Sequence, residues 1–304
     1  MITRYEYRDL VWVDIESPSQ DEIRKLMEEY SIHLFVAEEL LLPTIKPRVE
    51  LFNDYIYLIL HFPVTKHSQS KSIMQEIDFI IGKKFIITVR YNMIDPIHNF
   101  SKTFEVNSVL EKGEMGEHAG FIFYHMINRI YRFISDEIEY TSSKLKRIED
   151  DIFKGKEKEM VREISETGRV LLDFKQAITP HGEILKSFEE VALNFFGKNF
   201  TYPLKSIMSE QYKIIKNIEK NKETLDELRE TNNSLLSTKQ NEIMKILTII
   251  SFIAYPLTIF SALFQMNMKH TPIIGMQNDF WIVTTAMLAV AIMFFSYFKF
   301  KKWL

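Results

Sequence analysis

The stretch that decides the fold is residues 246–268, which read ILTIISFIAYPLTIFSALFQMNM. These 23 residues carry no formal charge. As a helix they are long enough to cross about 30 Å of hydrocarbon. A second uncharged run of 19 residues, 280–298, follows after eleven residues. Two buried core helices are the alternative, but two such runs this close together predict a pair of transmembrane helices at the C-terminal end.

The lysines around these runs predict their orientation. Lys239 and Lys245 precede the first run, whereas the connecting loop, 268–279, holds Lys269 and the opposite charge of Asp279. The second run is followed by Lys299, Lys301 and Lys302. Because cytoplasmic flanks are enriched in basic residues, we expect a multi-pass protein of the cell membrane with both termini in the cytoplasm. The charged first ten residues predict no signal peptide.

Composition excludes several functional classes. The 304 residues include 38 basic and 41 acidic side chains, a balance that argues against a nucleic-acid-binding surface. The absence of cysteine excludes disulfides and thiolate chemistry. We find no phosphate-binding loop, nucleophile elbow or zinc-protease motif, so an enzyme is the weakest hypothesis and no covalent cofactor is expected. His61, His67 and His98 lack metal-ligand spacing and are interpreted as ordinary core or surface residues.

Residues 1–115 predict a cytoplasmic α/β domain with a mixed sheet covered by helices. Runs rich in β-branched and aromatic residues form two candidate hairpins, 48–62 around Asn53 and Asp54, and 75–90 around Gly82 and Lys83. Residues 17–20 read as a capping box that starts a helix.

Residues 116–200 predict two long amphipathic helices, broken near 154–156. Residues 201–245 predict a stalk helix that continues into the first membrane helix, 246–267. A heptad of Leu and Ile runs along this stalk, interrupted by polar seam positions such as Gln211 and Asn221, which favours helices splayed around a wet axis. The remaining segments are the outer loop, 268–279, the second membrane helix, 280–298, and a basic tail, 299–304.

Small and polar side chains lie on one face of the first membrane helix. At helical spacing this face comprises Asn241, Met244, Thr248, Ser251, Tyr255, Thr258 and Ala262. Such a stripe indicates either close helix packing or a water-filled path. It leads to the amide cluster Gln265, Met266 and Asn267, whose neutral oxygens suit second-shell recognition of a hydrated ion such as Mg²⁺. No ionisable acid, base or histidine lies inside either run, so a proton relay is not expected.

The C-terminal third resembles the CorA family of divalent-cation channels. The segments that carry this resemblance are NEIMK at 241–245, PLT at 256–258, MN at 266–267 and the aromatic, lysine-rich end at 297–303. Looser similarity covers PRVE at 47–50, DYIYL at 54–58 and FIITV at 85–89. The resemblance implies a homopentamer in the lipid bilayer, with a funnel-shaped cytoplasmic domain, the first membrane helix lining a pore for hydrated divalent cations, and the second helix outside it.

Site residues follow from the same resemblance. The path would be lined by Asn241, Met244, Leu247, Thr258 and Asn267, with Asn267 as the filter asparagine of a Gly-Met-Asn signature. Glu230 is a candidate for a regulatory Mg²⁺ site, with a solvated stalk glutamate as the alternative. Two departures from the family pattern stand out. Gln265 replaces the signature glycine, and the outer loop has Lys269 and no aligned glutamate.

Three hypotheses remain open at this point. The first is a passive channel for Mg²⁺, with Co²⁺ or Ni²⁺ as further ions. The second is a zinc-type transporter of the same architecture. The third, suggested by Gln265 and the missing acidic loop, is a non-conducting membrane scaffold or sensor. A two-span receptor is disfavoured because the outer loop is too short to fold as a ligand-binding domain.

Overall fold

A computed structural model describes residues 2–66, 71–92, 95–110, 116–265 and 278–301. The chain forms two compact units, Met1–Arg229 and Glu230–Leu304. Of the predicted site residues, Met266, Asn267 and Lys269 lie outside the described residues, and Asp279 is described by its backbone alone.

The first unit contains a six-stranded mixed sheet. Its strands are β1 (Ile2–Tyr7), β2 (Leu10–Glu16), β3 (Arg48–Leu51), β4 (Tyr55–Lys66), β5 (Lys71–Gly82) and β6 (Phe85–Arg90). The order across the sheet is β1-β2-β6-β5-β4-β3. Only the β2–β6 pair is parallel among these neighbours. Both hairpins predicted from the sequence, β3–β4 and β5–β6, are present.

Helices cover both faces of this sheet because side chains alternate between the faces along each strand. Tyr57 and Ile59 of β4 join one core with helices α1 (Gln20–Tyr30) and α2 (Leu34–Glu39). Leu58 and Leu60 join the other core. That second core contains the helices α3 (Asp95–Leu110), α4 (Ala119–Phe153), α5 (Glu157–Ile178), α6 (His181–Phe196) and the start of α7 (Thr201–Gln265).

The first helix begins two residues later than the sequence predicted. Ser19 is the N-cap, and Glu22 completes the capping box, instead of the pair Ser17 and Gln20. The Ser19 backbone N–H donates to Glu22 Oε2 at 3.0 Å. Glutamate at the third helical position accepts this bond as an anion, which makes the later start the more stable one.

The helical region after residue 116 contains three long helices where the sequence predicted two. The expected break is present between α4 and α5, with Gly155 in a left-handed conformation at φ 90°. A second break separates α5 from α6 at Thr179 and Pro180. Proline has no N–H to continue the hydrogen bonds of α5. Pro180 therefore ends this helix, although the scarcity of glycine and proline in this region favoured a continuous one.

The apolar seam of α7 packs within its own chain. Leu204, Ile207, Ile214 and Ile218 are all at most 1% exposed in the core shared with α4, α5 and α6. Two of the polar seam residues, Gln211 and Asn221, are buried within the chain and do not line a wet axis, contrary to expectation. Gln211 donates to the carbonyl of Ile178 at 3.2 Å, and Asn221 donates to that of Ile138 at 3.1 Å.

The physical reason is that α4 and α5 offer apolar faces of the same helical period in the same chain. A coiled-coil pattern shows that a helix has a partner on that face, but it does not show which chain supplies the partner.

A buried histidine ties the helices to the sheet. His181 is fully buried, and its Nε2 donates to the carbonyl of His61 at 2.9 Å. Since a carbonyl can only accept, Nδ1 of the neutral ring is the acceptor, and it receives the Tyr131 hydroxyl at 2.9 Å. Burial lowers the pKa of His181 to about 4.

We predict that His181 makes the fold acid-sensitive. Its pKa is depressed relative to about 6.5 in the unfolded chain, so its contribution is complete above that pH and is lost as the pH falls toward about 4. The shift corresponds to a loss on the order of 3 kcal/mol. His181→Gln keeps a donor and an acceptor without titrating there. Thermal unfolding at pH 7 and pH 4.5 should show a smaller acid loss for this variant than for the native chain.

The control is His98→Gln, the same replacement at an exposed histidine, which should unfold like the native chain at both pH values. An equal acid loss for the native chain and the His181→Gln variant would contradict the assignment.

Candidate functional site

Two helices carry apolar segments that are not buried within the chain. An 18-residue window of α7 has a mean hydropathy of 2.1, and one of α8 (Asp279–Phe300) has 1.9. Only 6% and 0% of these windows are buried inside the protein. Core helices of a soluble protein would be covered, so among the described residues these two helices match membrane spans by length, composition and exposure.

The two helices pack through one face of each. On α7, Ile249 is 2% exposed, and Phe298 on α8 is 6% exposed. The rings of Phe252 and Phe298 lie 6.3 Å apart. The other covered or half-covered residues on these faces are Ile253, Pro256, Leu257 and Phe264 of α7, and Val283, Ala286, Met287, Val290 and Phe294 of α8. Each set follows a helical spacing of three and four residues, which defines one packing face per helix.

The polar stripe predicted from the sequence lies on the opposite side of α7. At 100° per residue, Ser251 and Thr258 lie about 140° to 180° from Ile249 and Ile253, whereas Thr248 lies about 100° from Ile249, at the edge of the stripe. Asn241, Met244, Thr248, Thr258 and Ala262 are exposed, Tyr255 is 70% exposed, and Ser251 is half-covered. Apart from Ser251, the stripe therefore lies outside the contact between α7 and α8.

The stripe hydroxyls are arranged as acceptors. Thr248 donates to the carbonyl of Met244 at 2.7 Å, Ser251 to that of Leu247 at 2.9 Å, and Thr258 to that of Ala254 at 2.9 Å. Since each hydroxyl proton is engaged inside the helix, only oxygen lone pairs remain for groups beside the stripe. Water bound to a cation presents its hydrogens outward, so these oxygens match a hydrated cation.

Proline adds a further acceptor near the stripe. Pro256 lies inside α7 and has no N–H to donate to the carbonyl of Phe252. Phe252 borders a shallow depression of about 320 Å³ on the helix surface. The depression is lined by Met244, Leu247, Thr248, Ser251, Phe252 and Tyr255.

The structure thus brings together five of the predicted path residues and adds Phe252, which the sequence pattern missed. From the sequence alone we would expect Phe252 to face lipid, because it is adjacent to Ser251 and not three or four residues away from it on the same face. Only its contact with Phe298 shows that it lies where the stripe meets the packing face.

The predicted filter and regulatory residues are only partly described. The Gln265 amide nitrogen is 3.4 Å from Ser261 Oγ, at the last described turn of α7. Glu230 is exposed on α7 at the first residue of the second unit. Nowhere in the described ranges do three or more histidine or acidic side chains converge as metal ligands.

The sequence profile described as CorA-like Mg²⁺ transporter protein matches residues 7–302, nearly the whole chain. The chain belongs to this family. The resemblance that rested on the C-terminal motifs is therefore confirmed for the family, which comprises ion transporters of the membrane rather than enzymes.

Relatives and a solved structure support the same assignment. The cobalt/magnesium transport protein CorA of Thermotoga maritima is 23% identical over 96% of this chain and 83% of its own length. The protein of the same name from Methanocaldococcus jannaschii is 24% identical over 98% and 92%. The complete structure of the latter organism's CorA magnesium transporter has a TM-score of 0.84, covering 99% of this chain and 93% of that one. At 22% identity this likeness shows the fold.

We predict that Phe298 holds the two helices of this CorA-family protein together. Phe298→Ala removes a ring that is 6% exposed, whereas Phe300→Ala removes one that is 88% exposed. The first variant should lose roughly 1 to 2 kcal/mol, less than the approximately 3 to 5 kcal/mol of a soluble core, because lipid tails are themselves apolar. Thermal unfolding in detergent measures this loss. Equal stability of the two variants would show that the Phe298 contact is not structural.

Proposed function

We propose that this CorA-family protein is a passive divalent-cation channel, with Mg²⁺ as the leading ion and Co²⁺ and Ni²⁺ as further candidates. The observation that carries the proposal is the stripe on α7, a row of small and polar side chains on the face that α8 leaves uncovered. Five copies of α7 around one axis would turn five such stripes into the wall of a water-filled path. The magnesium and cobalt named for the relatives support this ion class.

The chemistry of the stripe suits a cation that keeps its water. Mg²⁺ dehydrates reluctantly, so a path lined by hydroxyl and amide oxygens can recognise the outer face of its hydration shell without binding the ion tightly. Thr248, Ser251 and Thr258 supply hydroxyl oxygens whose protons are engaged within the helix. The larger side chains of Met244, Leu247 and Tyr255 lie beside these hydroxyls and narrow the path.

The membrane potential is a sufficient driving force. The membrane runs of the sequence contain no carboxylate, histidine, lysine or arginine that could relay protons. With both termini in the cytoplasm, a dication moving inward gains about 4.6 kcal/mol per 100 mV without any coupled ion.

We assign selectivity to a ring of Asn267 amides, with Met266 beside it. Gln265 replaces the signature glycine by a residue that has a side chain and less backbone freedom, and its amide either supplies a second ring of acceptors or narrows the mouth. Lys269 places one positive charge per subunit at the outer mouth, partly offset by Asp279. Uptake should therefore rise with ionic strength at low salt, because screening weakens repulsion between the mouth and the ion.

Regulation by internal Mg²⁺ is assigned to Glu230 in the assembled pentamer. One exposed glutamate per subunit gives five carboxylates at one level of the stalk. Divalent ions bridge oxygen ligands from separate chains, so bound Mg²⁺ would stabilise the closed assembly.

The proposal predicts Mg²⁺ uptake that depends on Asn267. Purified protein in liposomes with an inside-negative potential should take up Mg²⁺, measured with an internal Mg²⁺-sensitive dye. Asn267→Ala removes the amide ring and should reduce uptake by at least about tenfold. Asn217→Ala, at an exposed asparagine of α7 in the first unit, should leave uptake unchanged.

Ion competition separates the alternatives. Uptake of Zn²⁺ in preference to Mg²⁺ would support a zinc-type transporter instead. A confirmed pentamer that conducts none of Mg²⁺, Co²⁺ and Zn²⁺ would contradict the channel and favour a scaffold or sensor.

A cysteine scan tests whether water reaches the stripe. The native chain has no cysteine, so single substitutions give a clean background. Ser251→Cys and Thr258→Cys should react with a water-soluble, cationic methanethiosulfonate at least about tenfold faster than Ile250→Cys. Ile250 is a fair control because it is 59% exposed on α7 but lies off the stripe, where lipid would cover it. Equal rates at all three positions would rule out a water path on this face.

A further inference from the structure

A groove of about 320 Å³ lies between α5 and α7 in the first unit. Its floor is apolar, formed by Leu171 and Leu225, which are buried, and by Leu172, which is 51% exposed. Gly168 lets the two helices approach at this point. A Cβ there would lie 3.1 Å from Leu225 Cδ2 and 3.4 Å from Arg229 Nη2.

Four cationic side chains line this groove. Arg169 and Lys175 come from α5, and Lys222 and Arg229 come from α7. The single carboxylate among the lining residues, Asp226, accepts from Arg229 Nη1 at 2.9 Å. The other three cations form no salt bridge in the described part of the chain, although the charges of Arg169 and Lys175 contribute weakly to lowering the pKa values of Glu166 and Glu219. Unpaired positive charges concentrated on one groove attract an anion.

The cations occupy two ends of the groove. Gly168 lies beside Arg229, so the neighbouring Arg169 is at the same end of the groove as Arg229. Lys175 lies nearer Glu219, whose pKa is lowered first by its hydrogen bond to Lys216 and more weakly by the charge of Lys175. Helices α5 and α7 therefore run antiparallel here, with the arginines at one end and the lysines at the other. Arg169 and Lys175 are six residues apart, so their backbone positions are separated by about 9 Å along α5 and the cations are spread along the groove.

We propose that this groove binds a nucleoside triphosphate. Arginine and lysine are the usual protein ligands of phosphate, and a phosphate chain can extend from one pair of cations toward the other. The floor of Leu172 and Leu225 offers an apolar surface for the base. The volume lies at the lower end for small-molecule sites, so part of the ligand remains in solvent. The inference does not depend on the transport function, since binding is measured without ion flux.

Nucleoside triphosphates are also carriers of Mg²⁺, which binds through their phosphates. A site for them on the first unit would let the protein respond to the nucleotide that holds much of the ion it is proposed to carry.

The test is ATP binding to the purified, detergent-solubilised full chain by calorimetry, in Mg²⁺-free buffer. Lys175→Ala and Lys222→Ala should each weaken ATP binding about tenfold, because each removes one charge-assisted phosphate contact. Lys220→Ala is the matched control, since Lys220 is an exposed lysine of α7 that does not line the groove. It should bind ATP like the native chain.

Tripolyphosphate separates the phosphate chain from the nucleoside. Leu172→Ser changes an exposed floor residue and should weaken ATP binding while leaving tripolyphosphate binding unchanged. If tripolyphosphate binds as tightly as ATP and Leu172→Ser affects neither, the nucleoside assignment is wrong.

Two further results would overturn the site. One is native protein that binds no ATP at millimolar concentration. The other is binding that persists unchanged in the Lys175→Ala and Lys222→Ala variants. If ATP does not bind and Lys222→Glu instead dissociates the oligomer, the groove is a contact between copies of this chain.

Discussion

The structure depends on the 65-residue helix α7, which begins in the core of the first unit and ends at Gln265 in the second. In hydrocarbon a backbone group without a partner costs several kcal/mol, so a crossing segment must keep its hydrogen bonds within itself. Pro256 is tolerated because it removes one donor and leaves the carbonyl of Phe252 beside a polar stripe.

The surface of α7 differs between the two units of the chain. In the first unit its Leu and Ile seam is buried against α4, α5 and α6, and Gln211 and Asn221 are satisfied by carbonyls of α5 and α4. In the second unit one face packs on α8, and the other displays hydroxyls that can only accept hydrogen bonds. A buried face fixes the helix, and the uncovered face of acceptors is the surface that the proposed cation path uses.

Sequence and structure agreed where one local rule dominated. The two hairpins followed from alternating β-branched residues around short turns, and the family followed from the motifs at 241–245, 256–258 and 266–267. They disagreed where two local signals competed. The sequence pattern at 17–20 favours Ser17 as the N-cap, whereas Glu22 stabilises a helix start with Ser19 as the N-cap. One proline at 180 divided a helix that its composition would have continued.

The sequence by itself determined that this chain has two apolar runs, that hydroxyls share one face of the first, and that the family is CorA. The first two are properties of spacing and composition, which the helix period converts directly into faces, and the family follows from motif resemblance and the profile match. Tertiary structure alone decided which partner each face meets. In the first unit the stalk seam faces its own chain and not a wet axis, the stripe lies away from α8, and Arg169, Lys175 and Lys222 line one groove. Periodicity gives the direction of a side chain, but only the packed chain gives its neighbour.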